Sequence, residues 1–110
     1  MAEVVQEQEG GRLVYQYEVV NGKKHGTAQR WYSSGRLLSR ATWQNGQCLL
    51  LEVFYENGSR LQRFDEVNRV YEAWHENGRQ SWWKSMQGNT IREKQWFANG
   101  TLDRLNSTES

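Results

Sequence analysis

Proline is absent from this chain of 110 residues. A backbone that never forfeits an N–H can run an uninterrupted hydrogen-bonded ladder, so the absence leaves sheet structure open along the whole length. Cysteine occurs once, at Cys48, which excludes an internal disulfide. Beside Leu49, Leu50 and Leu51 the thiol reads as a small buried hydrophobe, not a reactive group. Long apolar runs are missing too: the longest aliphatic stretch, Cys48–Leu51, falls far short of the about 20 residues that span a bilayer, so no transmembrane helix is expected. Residues Met1–Gly11 carry Glu3, Glu7 and Glu9 and lack the positive start and apolar stretch of a signal peptide. The expected location is cytoplasmic. Nor does charge of one sign dominate. The 14 basic and 13 acidic residues give a net charge of +1, which provides no field for nucleic acid or anionic lipid.

Histidine is scarce, and neither His25 nor His75 sits in a nucleophile or metal motif. His25 belongs to a solvated Lys23-Lys24-His25-Gly26 turn; His75 takes an aromatic position of a repeat, where packing is the expected role. Cys48 and His75 fall in different repeats, and no Asp or Asn is placed to complete a triad. The pairs Glu52/Glu56 and Glu72/Glu76 recur at similar repeat offsets, as solvated positions would, rather than forming an acid pair. Gly10-Gly11 precedes a strand, whereas a phosphate-cradling loop leads into a helix. The expectation is a protein that is not an enzyme, with no catalytic residue, no metal site and no cofactor.

What the chain does have is aromatic bulk. Only 36% of residues are hydrophobic, yet six Trp, five Tyr and three Phe supply most of the large apolar side chains. At this length about two-thirds of the unfolded surface can be buried, which allows one domain with one modest core. The aromatics recur with a period. Trp31-Tyr32-Ser33-Ser34-Gly35, Phe54-Tyr55-Glu56-Asn57-Gly58, Trp74-His75-Glu76-Asn77-Gly78 and Trp96-Phe97-Ala98-Asn99-Gly100 align on glycines spaced 23, 20 and 22 residues apart. Between them lie further turn signals at Asn21-Gly22, Asn45-Gly46 and Gln87-Gly88-Asn89, so each repeat is two short segments and two turns.

The five Asn-Gly pairs have a mechanical meaning, since tight hairpin turns need positive φ, which Asn and Gly tolerate best. Strands are predicted over 13–20, 27–33, 36–44, 47–55, 59–65, 69–76, 79–86, 90–98 and 101–105. The predicted fold is all-β: an elongated antiparallel β-hairpin meander in a single-layer sheet over 12–105, between a flexible N-terminal tail at 1–11 and a C-terminal tail at 106–110. Because consecutive strand residues face opposite ways, Trp31, Phe54, Trp74 and Trp96 form one column, expected inside. Tyr32, Tyr55, His75 and Phe97 form a second, expected on a half-exposed face with polar tips toward water.

The recurring aromatic-aromatic-x-Asn-Gly unit, opened by Asn21-Gly22-Lys23-Lys24-His25-Gly26, resembles the MORN-variant repeat of bacterial proteins, members of which are classed as antitoxins of the YwqK type. The likeness runs over about residues 13–105. It is carried by Trp31, Tyr32 and Gly35; Phe54, Tyr55, Asn57 and Gly58; Trp74, Asn77 and Gly78; and Trp96, Phe97, Asn99 and Gly100. Ser34 in place of Asn, His75 in place of an aromatic and the glycine-free turn Asp65–Asn68 depart from it. The resemblance implies a single-layer hairpin array and leaves the partner open. The spacing is also similar to choline-binding repeats, where aromatics cage a quaternary ammonium. Those arrays carry fewer Arg and Glu on their strands.

Binding suits this composition. Ten of the 14 basic residues are Arg, and interfaces enrich Arg, Trp and Tyr. The competing reading pairs Arg with cross-strand Glu on a wet sheet. A one-layer meander leaves a face open to a partner, so Tyr32, Tyr55 and His75, rimmed by Arg36, Arg60 and Arg79, are the predicted binding residues. The resemblance implies a protein partner, with an antitoxin or immunity-type protein occupying a toxin as the leading expectation. An assembly scaffold or adaptor working by self-association or protein contacts is the alternative, and peripheral lipid or choline/cell-wall binding a third.

Overall fold

The structure, a computed structural model, describes residues 2–109, and of these the side chains of 2–103 and 105. Among the described residues there are ten strands and no helix: β1 (Ala2–Glu9), β2 (Arg12–Val20), β3 (Lys23–Trp31), β4 (Leu37–Gln44), β5 (Gln47–Phe54), β6 (Arg60–Asp65), β7 (Val70–Trp74), β8 (Gln80–Gln87), β9 (Thr90–Trp96) and β10 (Leu102–Glu109). All ten form one open sheet whose spatial order copies the sequence order, each neighbouring pair antiparallel. The fold is the expected hairpin meander. Its extents of 44 × 33 × 13 Å leave room for one layer only, since two stacked sheets would add about 10 Å between their backbones.

The boundaries differ from the sequence expectation at both ends of the sheet and at β3. Residues Ala2–Glu9, read as a tail, pair with β2 as an edge strand, and β10 runs on to Glu109 through part of the expected C-terminal tail. The alternation in Val4-Val5-Gln6-Glu7 is too polar to announce a strand, yet an edge strand needs only one partner and little burial. At β3 the strand begins at Lys23, four residues before the predicted start, because the Asn21-Gly22 turn is only two residues long.

The turns fall into two rows along opposite edges of the sheet. On one edge Asn21 (φ 52°) with Gly22 (φ 77°), and Asn45 (φ 50°) with Gly46 (φ 83°), make two-residue hairpins with both central residues left-handed. This is the geometry whose twist matches the flanking strands. On the other edge the repeat glycines Gly35, Gly58, Gly78 and Gly100 hold nearly one value, φ 91°, 92°, 90° and 90°. Each such loop is closed alike: the Tyr55 N–H donates to Ser59 O at 2.8 Å, the Gly58 N–H to Tyr55 O at 2.9 Å, and Asn57 Oδ1 accepts the Ser59 N–H at 2.8 Å. Where glycine is missing, at 66–69, Arg69 takes the left-handed position (φ 57°) and the Asp65 carboxylate ties the loop.

Successive cross-strand partners share a face. Tyr17, Ala28, Ala41, Leu51, Phe64 and Tyr71 form one such row, flanked by the row Tyr15, Arg30, Ser39, Val53, Gln62, Ala73 and Trp82. On this face lie Tyr15 (7% exposed), Ala28 (5%) and Ala41 (7%), the buried hydrophobics among the described residues. The opposite face carries Gln16, Gln29, Arg40, Glu52, Arg63 and Glu72 in cross-strand order. Its charges alternate, and Arg40 reaches Glu52 at 3.0 Å, so the wet-sheet reading of arginine holds for Arg40.

The expected inside column is not inside. Trp31, Phe54, Trp74 and Trp96 are all half-buried, no more hidden than Tyr32, Tyr55 and His75. A single layer offers no second sheet to cover them. In addition, a bulge interrupts the pairing at Arg30/Trp31, Val53/Phe54 and Ala73/Trp74, which breaks the simple two-residue alternation just where the aromatic pairs begin.

Candidate functional site

The six residues predicted to bind are all found along the edge of the long loops, and each reaches into the next repeat. The Tyr32 hydroxyl donates to Phe54 O at 2.6 Å and the Tyr55 hydroxyl to Trp74 O at 2.7 Å. His75 Nε2 lies 2.9 Å from Trp96 O; a carbonyl can only accept, so Nε2 carries the proton. The arginines behave the same way. Arg36 donates to Glu56 O at 3.4 Å, Arg79 donates to Asn99 O, and the Arg60 guanidinium lies 5.5 Å from the Trp74 ring centre. Asn77 Nδ2 adds a bond to Ala98 O at 2.8 Å.

The polar tips expected to face water are thus held by the chain's own carbonyls. Tyr, Tyr and His each satisfy an acceptor one repeat ahead. Phe97 stands at the same position in the fourth aromatic repeat; it has no polar tip and is 53% exposed.

Aromatic surface without such an internal function lies on the face of the Tyr17 to Tyr71 row. At its centre Phe64 meets Tyr71 edge-on at 5.7 Å and Trp82 at 6.2 Å between ring centres. The polar atoms of this cluster are satisfied at its rim: Trp82 Nε1 donates to Glu93 at 2.7 Å, and the Tyr71 hydroxyl donates to Glu66 at 2.9 Å. Partial burial, reinforced by the Glu66 carboxylate, pushes the Tyr71 hydroxyl above its ordinary pKa. Beside the cluster a hollow of ≈ 460 Å³ is lined by Cys48, Leu51, Phe64, Glu66 and Val67. Cys48 is half-buried, and burial raises its thiol pKa.

Nearer β1, Tyr15 and Tyr17 lie 4.8 Å apart with their planes tilted by 37°. The Lys24 ammonium sits 5.3, 5.0 and 4.8 Å from the ring centres of Tyr15, Tyr17 and Trp43, and donates to the Tyr15 hydroxyl at 2.8 Å. The Arg30 guanidinium lies 3.9 Å from the Tyr15 ring centre. Lys24, expected in a solvated turn, lies in β3 against these rings, and Tyr15, Tyr17 and Trp43 stand outside the aromatic-aromatic-x-Asn-Gly unit that singled out the other aromatics.

Among the described residues no group of three or more His, Cys, Asp and Glu side chains could hold a metal ion. No helix there is long and apolar enough to cross a membrane.

No protein-family model matches the sequence, and no curated protein matches it. Among solved structures the chain matches part of one described as "Crystal structure of GtfA/B complex bound to UDP and GlcNAc", at 8% identity and a TM-score of 0.42. The match covers 99% of this chain and 24% of that one, so the chain spans about a quarter of the length of the protein it is compared with.

Proposed function

We propose that the chain is a non-enzymatic protein-binding module whose partner lies on the aromatic face centred on Phe64, Tyr71 and Trp82. The observation that carries this reading is the 13 Å thickness of the molecule: one layer, with an aromatic face that no second layer covers. Half-buried aromatic rings gain area-dependent stabilisation when a partner removes them from water, and binding energy concentrates in such anchors. The opposite face carries Arg and Glu in alternation with Arg40 already paired to Glu52, which makes it the poorer surface. The resemblance to MORN-variant repeats adds the finer proposal that the partner is a toxin, neutralised by occupation.

The test is co-purification with the product of the neighbouring gene, followed by titration of face variants. Tyr71→Ala and Trp82→Ala should weaken a one-to-one complex by about tenfold or more each, with Arg63→Ala on the charged face near neutral. Loss with Arg63→Ala alone, the melting transitions being unchanged, would move the partner to the other face.

One observation favours a second reading, assembly of copies. Among the described residues β1 and β10 each have a strand neighbour on one side only, and an unpaired strand edge is a template for pairing. Concentration-dependent self-association without any partner would select it.

A further inference from the structure

Where the Gly10-Gly11 turn and the loop at 32–36 share one edge of the sheet, a hollow of ≈ 470 Å³ opens beside the row Tyr15, Arg30 and Ser39. Glu7 continues that row onto β1 as the partner of Tyr15. Two bulges shape the wall. Glu7 pairs with Tyr15 and Gln8 with Leu13, which leaves Val14 as the extra residue of β2; Arg30 pairs with Ser39 and Trp31 with Leu37, which leaves Leu38 as the extra residue of β4. A bulge re-aims side chains, and both extra residues line the hollow together with Trp31. Its charged lining is Glu7 and Glu9 from β1, Arg12 from β2 and Arg30 from β3. Two charges of each sign thus border one space. The ion pair among the described residues is Arg40 with Glu52, so none of the four is paired with another. Register explains the separation of Glu7 from Arg30, because the buried Tyr15 stands between them on β2. The Arg30 guanidinium lies 3.9 Å from the Tyr15 ring centre, and stacking occupies its face while leaving the N–H groups of its edge free.

We propose that this hollow binds a zwitterion with an apolar side chain, the chemistry of an α-amino acid. Arg30, held against Tyr15, offers parallel N–H groups to a carboxylate, the bidentate arrangement that gives strong charge-assisted hydrogen bonds, and Arg12 adds a second positive charge. Glu7 and Glu9 accept from the ammonium on the β1 side. The apolar side chain lies against Val14, Leu38 and the Trp31 indole, where removal from water adds area-dependent stabilisation. A simple anion would meet two carboxylates in the same space, and a simple cation two guanidiniums. A ligand carrying both charges suits all four groups. The volume falls within the about 300–1,000 Å³ of small-ligand pockets, which admits a free amino acid or a short peptide as the source. This site lies on β1 to β4, apart from Phe64, Tyr71 and Trp82 on β6 to β8, and stands whether or not that cluster binds a protein.

The experiment follows the indole N–H resonance of Trp31 in the full chain by NMR while L-leucine or L-phenylalanine is added at constant pH and ionic strength. At least one should give a saturable shift. Its amide, which lacks the carboxylate, and the matching acid without the amine, isocaproate or hydrocinnamate, should each bind about tenfold more weakly or worse. The double variant Glu7→Gln, Glu9→Gln should weaken binding about tenfold, and so should Arg30→Lys, which keeps the charge and loses the planar fork. Arg12→Gln replaces Arg30→Lys should the latter not fold, and Arg63→Gln on the opposite face should change nothing. The matching dipeptides distinguish the sources: tighter binding than the single amino acid assigns the site to a peptide, weaker binding to a free amino acid. No saturable shift with either amino acid, equal affinity for the amine-free acid, or unchanged affinity in the folded Glu and Arg variants overturns the zwitterion site.

Discussion

The Tyr55 hydroxyl donates a 2.7 Å hydrogen bond to the carbonyl of Trp74, nineteen residues further along the chain. The same step is taken by Tyr32 to Phe54 and by His75 to Trp96, so one side chain per repeat clamps the start of the next loop. Tyr55→Phe removes the donor and keeps the ring. It should destabilise the fold by about 1 kcal/mol in urea unfolding, since a net hydrogen bond is worth that much and the Trp74 carbonyl loses its partner. A change near zero would mean that water replaces the phenol freely.

Gly26 (φ 100°) lies where a side chain would collide with the Glu18 carboxylate, which accepts the Thr27 N–H at 3.2 Å. Gly26→Ala should cost about 1–3 kcal/mol, from left-handed backbone strain and the displaced carboxylate together. Because Glu18 is flexible, Glu18→Ala should recover only the smaller share. Full recovery in the double variant would show that the clash, not the backbone, sets the cost.

Arg69 holds a left-handed backbone (φ 57°) without being glycine. Arg69→Gly should therefore stabilise the protein, by about 0.5–1 kcal/mol, the strain relieved exceeding the extra chain entropy of glycine. A melting temperature that falls instead would assign Arg69 a packing role larger than its strain.

The Asp65 carboxyl titrates below its ordinary value, chiefly because the Asn68 main-chain N–H, then the Asn68 side chain, bond the charged form, with Val67 N–H and Arg63 adding less. A depressed folded-state pKa means that the unfolded chain binds the proton more tightly. Its stabilisation is present above the ordinary value of about 3.9 and is lost as pH falls through the lower folded value. The stability gap between wild type and Asp65→Asn should be largest near pH 6 and close as the solution is acidified below about pH 4. A gap independent of pH would mean that the loop does not distinguish carboxylate from amide.

The strand pattern and both rows of turns were legible in the sequence because Asn-Gly pairs have one inexpensive hairpin geometry, and Asn21-Gly22 and Asn45-Gly46 adopt it. β1 was not legible. Gly10-Gly11 marks the two-residue turn between Glu9 and Arg12, but Ala2–Glu9 carries three Glu and two Gln and no apolar alternation to go with it. The repeat drew attention to Tyr32, Tyr55 and His75, and repetition is what an array needs to hold itself together. Recognition does not need it. The convergence of Tyr15, Tyr17 and Trp43 on Lys24 depends on register across β2, β3 and β4, with a bulge in each of the two pairings involved, and no linear spacing reports that. The inside assignment of Trp74 failed for a simpler reason: periodicity separates two faces but cannot say whether either is covered.

Since spatial order copies sequence order, no strand waits for a distant segment to arrive. Each hairpin can form from residues already adjacent, and loop closure costs little, so folding should be able to begin at any interior turn and spread both ways. Stability in such a chain is close to a sum of terms between nearest neighbours. A whole hairpin pair could be added or deleted by recombination without severing a crossover, and the sheet would lengthen or shorten as a ruler does, its interior divisions unchanged.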